Sequence, residues 1–266
     1  MRDILNEAID DLKKYSGNEK EIYIFGFSRG AALARMFAAK IGKDMGVKVR
    51  FLGVFDTVAA TRGSLDLNPN TFPASGIIFE DGTMGAHIEE ATHLVSIDEK
   101  RITFQPTLFN KDNRITEVWF AGVHSDIGGG YWFDGLSDIT LKFMLDSVRD
   151  KLHVLAISDI GYGALKVEGA QDALCDDDLN INALCNGKIH EQKRPGAMSK
   201  TLAPRLIRVN SDDAPSKKDT AIVHHSVSER FKVVTEYRPY ALRDVHFRIM
   251  DKNGNVGDVL KGVANL

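Results

Sequence analysis

The sequence predicts an α/β fold, a mostly parallel sheet flanked by helices, on three observations. The apolar run Ile22-Tyr23-Ile24-Phe25 feeds the turn Gly26-Phe27-Ser28-Arg29-Gly30, and an alanine-rich stretch of helical character follows at once. Val47 to Phe55 becomes wholly apolar near its end, as a parallel strand buried on both faces should. Residues 115–123 repeat strand character, and a strongly amphipathic stretch at 136–152 follows.

In chain order, residues 3–15 place Ile4, Leu5, Ala8, Ile9 and Leu12 on one helical stripe, and Gly17-Asn18 ends it. Residues 21–27 read as a strand and 29–42 as the helix behind it. A Pro-, Gly- and Asn-rich loop is expected at 60–82, then a helix at 84–95. Gly128-Gly129-Gly130 should turn the chain sharply, and Leu136, Ile139, Phe143, Met144, Val148 and Leu152 form the apolar face of the next helix. Residues 160–220 are rich in charged and small residues and read as a loop-rich insertion or lid on a single domain spanning 1–266. Phe231 to Val234 and Val245 to Ile249 alternate like strands, with a turn at Asp251-Lys252-Asn253-Gly254.

Composition narrows the function. The 266 residues are 43% hydrophobic and 27% charged, with a net charge of −3, so no basic field calls for nucleic acid. No apolar stretch reaches membrane-spanning length. The opening residues are acidic and amphipathic, unlike a signal peptide, so synthesis and folding in the cytoplasm are expected. Cys175 and Cys185 stand in a polar segment without partners at zinc spacing, which favours two reduced thiols. No metal and no cofactor is called for.

Gly26-Phe27-Ser28-Arg29-Gly30 has the G-x-S-x-G pattern of a nucleophile elbow in the context that pattern needs. The serine must stand on a strained turn with its hydroxyl clear of the backbone, so glycines two before and two after it relieve crowding. A phosphate-binding loop would end in Gly-Lys-Ser/Thr, which Arg29-Gly30-Ala31 does not supply. A serine hydroxyl needs a base, and the base needs an orienting group, both at the carboxyl ends of strands. Asp56 ends the second strand and His124 the third, giving the order nucleophile, acid, histidine of α/β-hydrolases. Each has a plainer reading: Asp56 as a turn cap at Thr57, His124 as a buttress for the glycine turn. Asp126 can bond His124, shape that turn or, with His124 and Asp56, hold a metal. His224 and His225 are competing bases or site-lining groups, as Thr57 is a site-lining residue.

These segments resemble an α/β-hydrolase domain family, long catalogued as uncharacterised, that includes phospholipase effectors of bacterial type VI secretion systems. The resemblance rests on Gly26 to Ala31, Phe55-Asp56-Thr57-Val58, Ile97-Asp98-Glu99-Lys100-Arg101 with Phe104-Gln105-Pro106, and Val118 to Tyr131. A weaker likeness covers His225-Ser226-Val227 and Tyr237-Arg238-Pro239. It implies Ser28 as nucleophile, Asp56 as acid and His124 as base, and hydrolysis of esters, with phospholipid acyl esters as the substrate class. It also implies peripheral membrane contact, a secretion-spike protein and an immunity protein as partners, and delivery into a target-cell periplasm. Relatives carry earlier strands beginning with an Asp-Gly-Thr segment, whereas Asp81-Gly82-Thr83 here follows the elbow. The expectation is a sheet lacking its N-terminal strands, with an unpaired edge, in a truncated form whose alternative role is binding or assembly. The oxyanion would have the Arg29 N–H but lack a second donor, a loss of about 2.7–4 kcal/mol in the transition state.

Overall fold

In the computed structural model, residues 2–15, 21–59, 84–153 and 180–266 are described. The expected loop at 60–82, the helix stop at Gly17-Asn18, Asp81-Gly82-Thr83, Cys175 and the 160–179 part of the insertion lie outside them. The elements are α1 (Arg2–Lys14), β1 (Ile22–Phe27), α2 (Arg29–Met45), β2 (Val49–Phe55), β3 (Ala91–Ser96) and β4 (Ile115–Phe120). Then come α3 (His124–Gly128), α4 (Gly135–Val148), the two-residue strands β5 (Asn210–Ser211) and β6 (Ala214–Pro215), and β7 (Ala221–His224). The chain closes with α5 (His225–Val233), β8 (His246–Met250) and β9 (Val256–Lys261).

One seven-stranded sheet has the order β1-β2-β3-β4-β7-β8-β9. All neighbours run parallel except the antiparallel pair β8 and β9. This is the expected α/β-hydrolase-like architecture. Among the described residues no strand pairs with the outer edge of β1.

Side-chain alternation distributes the core over both faces. Ile24, Leu52, Val54 and Ala91 meet Ala31, Ala34, Ala38 and Ile41 of α2 and Leu5 and Ile9 of α1. Phe51, Leu94, Val118 and Phe120 meet Ile127, Met144 and Val148 on another face. Val95, Trp119, Val223 and Phe247 meet Val227, the loop residue Tyr237 and Leu242 of a 3-10 turn. Trp119 lies between Val118 and Phe120 in sequence and faces the opposite way, as the two-residue strand period requires.

Two expectations are corrected. The helix expected at 84–95 is replaced by β3, all six of whose residues are buried between β2 and β4. Burial on both faces masks the alternation that identifies a strand. Phe231 to Val233 close α5 instead of forming a strand, and Val227 and Phe231 sit four apart on the side packed against the core. The third strand stops at Phe120, so Gly122 and Val123 already belong to the turn before α3. Of the expected insertion, residues 180–220 hold only a 3-10 turn at Gly196–Thr201 and the short β5–β6 hairpin.

Candidate active site

Ser28 stands between β1 and α2 at φ 60° and ψ −125°, a region that L-residues enter only under constraint. The constraint is visible in its backbone. Ser28 N donates to Phe55 O (3.0 Å), and Ser28 O accepts from Ala32 N (3.3 Å) and Val58 N (3.2 Å). A Cβ at Gly26 would fall 2.6 Å from Gly30 O and 2.8 Å from Ala31 Cα, so only glycine fits there. Gly30 differs from expectation: a Cβ there meets nothing within 4 Å, so the crowding is one-sided.

Asp56 follows β2 with φ 40°, another strained position, and is fully buried. His124 opens α3 and is 4% exposed. Its Nε2 lies 2.8 Å from Ser28 Oγ and its Nδ1 2.6 Å from Asp56 Oδ2. With Nδ1–H donating to the carboxylate, Nε2 is left to accept from the serine hydroxyl. The Phe27 ring lies 4.6 Å from the imidazole and the Phe104 ring meets it edge-on at 5.0 Å. A Cβ at Gly128 would come within 2.1 Å of Phe27, which explains how closely α3 approaches the elbow.

The Asp56 carboxylate has no free side. Oδ1 accepts from Ser96 N (3.0 Å) and Arg205 Nη1 (2.6 Å), and Oδ2 accepts from Arg205 Nη2 (2.8 Å) and His124. Burial pushes the carboxyl pKa up, but the Arg205 charge and the His124 and Arg205 hydrogen bonds outweigh it and hold it below the ordinary value. Arg205 also donates to Ser96 O (2.9 Å) and to Phe104 O. It is delivered by the segment after Leu202, which bridges to Arg101 while Ala203 N donates to Lys100 O (2.7 Å). A second carboxylate, Glu99, accepts from His124 N (3.3 Å) and takes a bidentate grip from Arg101, whose guanidinium lies over Phe104. Sequence reasoning did not find Arg205, which lies in the stretch read as a lid.

The other candidate residues have different partners. Thr57 N donates to Nε2 of the buried His93 (3.1 Å), which pairs through Nδ1 with Glu117 (2.8 Å). Asp126 bonds Val123 N (2.9 Å) and His190 Nδ1 (2.6 Å), so it fixes the turn before α3 and a second histidine. His224 stacks on Phe120 at 4.5 Å, with its pKa pushed down to about 3 by burial and the neighbouring His225. His225 pairs with Glu229 at 3.4 Å. Arg29 is exposed at the start of α2. A cavity of about 440 Å³ lies elsewhere, lined by Phe109, Ile115, Glu117, Ile222 and Arg248 among others, none of them in this cluster. Among the described residues no group of three or more His, Cys, Asp or Glu is placed to hold a metal, and no helix is long and apolar enough to cross a membrane.

Sheet, elbow and chain order define an α/β-hydrolase-like protein. Residues 38–147 match the model of a particular family, described as type VI secretion system, phospholipase effector Tle1-like, catalytic domain. The chain therefore resembles, over that stretch, the phospholipase effector family its motifs suggested; the stretch includes Asp56 and His124 and begins after Ser28. Among solved structures, an uncharacterized protein from Pseudomonas aeruginosa is 25% identical with a TM-score of 0.40, covering 54% of this chain and 25% of that one. The Tle1 effector bound to the VgrG spike of the type 6 secretion system is 30% identical with a TM-score of 0.29, covering 42% of this chain and 25% of that one. The chain thus spans about a quarter of the length of each. No curated protein matches it.

Proposed function

We propose that this chain is the catalytic core of a serine esterase that cleaves phospholipid acyl esters, as an effector delivered by a type VI secretion system into a target cell. The reading rests on one observation: His124 bridges Ser28 Oγ and Asp56 through its two ring nitrogens, with the serine on a strained elbow. Ser28 Oγ attacks the ester carbonyl carbon while its proton passes to His124 Nε2, and Asp56 stabilises the imidazolium. The oxyanion forms at the N-terminus of α2, where the Arg29 N–H is the expected donor. His124 then returns the proton to the leaving alcohol oxygen, and water, activated by the same base, releases the fatty acid from the serine. The whole chain, 1–266, is read as one domain, with 160–220 a lid or insertion. The family match supports the phospholipid substrate and the secretion route; a spike protein and an immunity protein are the partners that route implies.

A fluorophosphonate probe tests the reaction class. Wild-type protein should be labelled and Ser28→Ala should not, while His124→Ala should slow labelling by about 10³-fold or more. Folded wild-type protein that resists the probe would remove the serine mechanism. Release of fatty acid from phosphatidylglycerol or phosphatidylethanolamine vesicles then tests the substrate class separately.

A second reading, a hydrolase-like binding or assembly module, is favoured by the unpaired edge of β1 among the described residues. It predicts no labelling from a well-folded chain.

A further inference from the structure

We propose that Arg205 is a positioning residue for this site: its guanidinium fixes the orienting carboxylate and sets the pH range in which His124 can take the serine proton. The inference rests on the Ser28, His124 and Asp56 reading above and goes beyond it.

The geometry is that of a two-pronged clamp. Nη1 and Nη2 of Arg205 lie 2.6 and 2.8 Å from the two Asp56 oxygens, and both side chains are completely buried. Such a planar fork matches a carboxylate in a way an ammonium cannot. The remaining bonds of the guanidinium run to Ser96 O and Phe104 O. Arg205 therefore ties the orienting acid to the end of β3 and to the loop whose Phe104 ring abuts the imidazole. Carboxylate rotation would break two charge-assisted bonds at once.

The charge has a second effect. An orienting carboxylate alone favours the protonated imidazole, which cannot accept the serine proton. A buried positive charge on the far side of that carboxylate opposes imidazole protonation and extends the active range toward acid. Among the described residues, the other groups facing the imidazole are Ser28 and the rings of Phe27 and Phe104. Facing its backbone is Glu99, whose charge is paired with Arg101. The neighbouring Asp126 is paired with His190. Arg205 is thus the cation in direct contact with the orienting acid.

The test is the pH dependence of fluorophosphonate labelling of Ser28 in the intact chain, normalised to folded protein by circular dichroism. In Arg205→Gln, the acidic limb should move to higher pH by on the order of one unit, the scale expected for losing one charge at short range. In Arg205→Lys, which restores charge without the fork, the limb should return toward wild type while the plateau rate stays roughly tenfold lower. A limb in Arg205→Gln that coincides with wild type overturns the proposal, because a merely structural arginine would change yield and leave the limb in place. Should Arg205→Gln fail to fold, Arg205→Lys decides: a plateau rate per folded molecule equal to wild type overturns the clamp. Absence of labelling in the wild type would instead defeat the serine-hydrolase reading itself.

Discussion

The residues around Ser28 separate two kinds of demand that look identical on paper. A non-glycine residue at φ 60° and ψ −125° stores on the order of 1–3 kcal/mol, and neighbours must hold it there. Gly26 meets that demand sterically, since a methyl group would run into Gly30 O and Ala31 Cα, whereas Gly30 faces open space. Gly26→Ala should therefore lose fluorophosphonate labelling and destabilise the fold by at least about 1–3 kcal/mol in urea unfolding. Gly30→Ala should fold with nearly unchanged stability. Equal damage from both substitutions would show that the crowding is misassigned. The convergence of Ser28, Asp56 and His124 was legible in the sequence because each follows an apolar run with no packing reason to be polar. Arg205 was not legible. Its partner lies 149 positions away, and Ala203-Pro204-Arg205-Leu206 carries no local signal of burial.

At the level of elements, β1, β2, β4, α2 and α4 were readable from period and flanks, while β3 and α5 were misread for opposite reasons. Met84, Ile88, Ala91 and Val95 fall at helical intervals by coincidence, although Thr92 and Val95 are β-branched and suit a strand. What decides β3 is nonlocal: it runs parallel between β2 and β4, so both of its faces are buried. In α5 the apolar pair Val227-Phe231, four apart, is compatible with either period, and N-capping by His224 settles the helix: its Nδ1 accepts from Ser226 N. Leu94 tests the placement of β3. It is fully buried against Phe51, Val118 and Met144. Leu94→Ala should lower unfolding free energy by about 2–5 kcal/mol. Since β3 ends where Ser96 N holds Asp56, labelling of Ser28 should fall as well. A loss below about 1 kcal/mol in urea titration would contradict a central buried strand.

Across the whole molecule, Asp98 joins parts of the sheet that lie far apart along the chain. It follows β3, and its Oδ2 accepts from Gly122 N (2.8 Å), just past β4, and from the Tyr237 hydroxyl (3.1 Å), in the loop after α5. Tyr237 belongs to the same packed cluster as Val95, Trp119 and Phe247, so this carboxyl ties the C-terminal third to the end of the sheet bearing the site. Burial is the dominant influence on it and outweighs those hydrogen bonds, pushing its pKa up to about 6. A carboxyl raised in the folded state takes up its proton in the native protein before the unfolded chain does. Its contribution to stability is therefore full below the unfolded value near 4 and declines as pH rises from about 4 to about 6. The decline amounts to about 3 kcal/mol. Asp56 and Glu99 act in the opposite direction, since their lowered values withdraw stability as pH falls below about 4. The Asp98 contribution is isolated by comparing wild type with Asp98→Asn, which keeps an acceptor for Tyr237 but cannot ionise. Between pH 4 and pH 7, the unfolding free energy of the wild type relative to the variant should drop by about 3 kcal/mol. Parallel urea-derived stability curves for the two proteins across that interval would show that ionising Asp98 does not cost the native state stability at neutral pH.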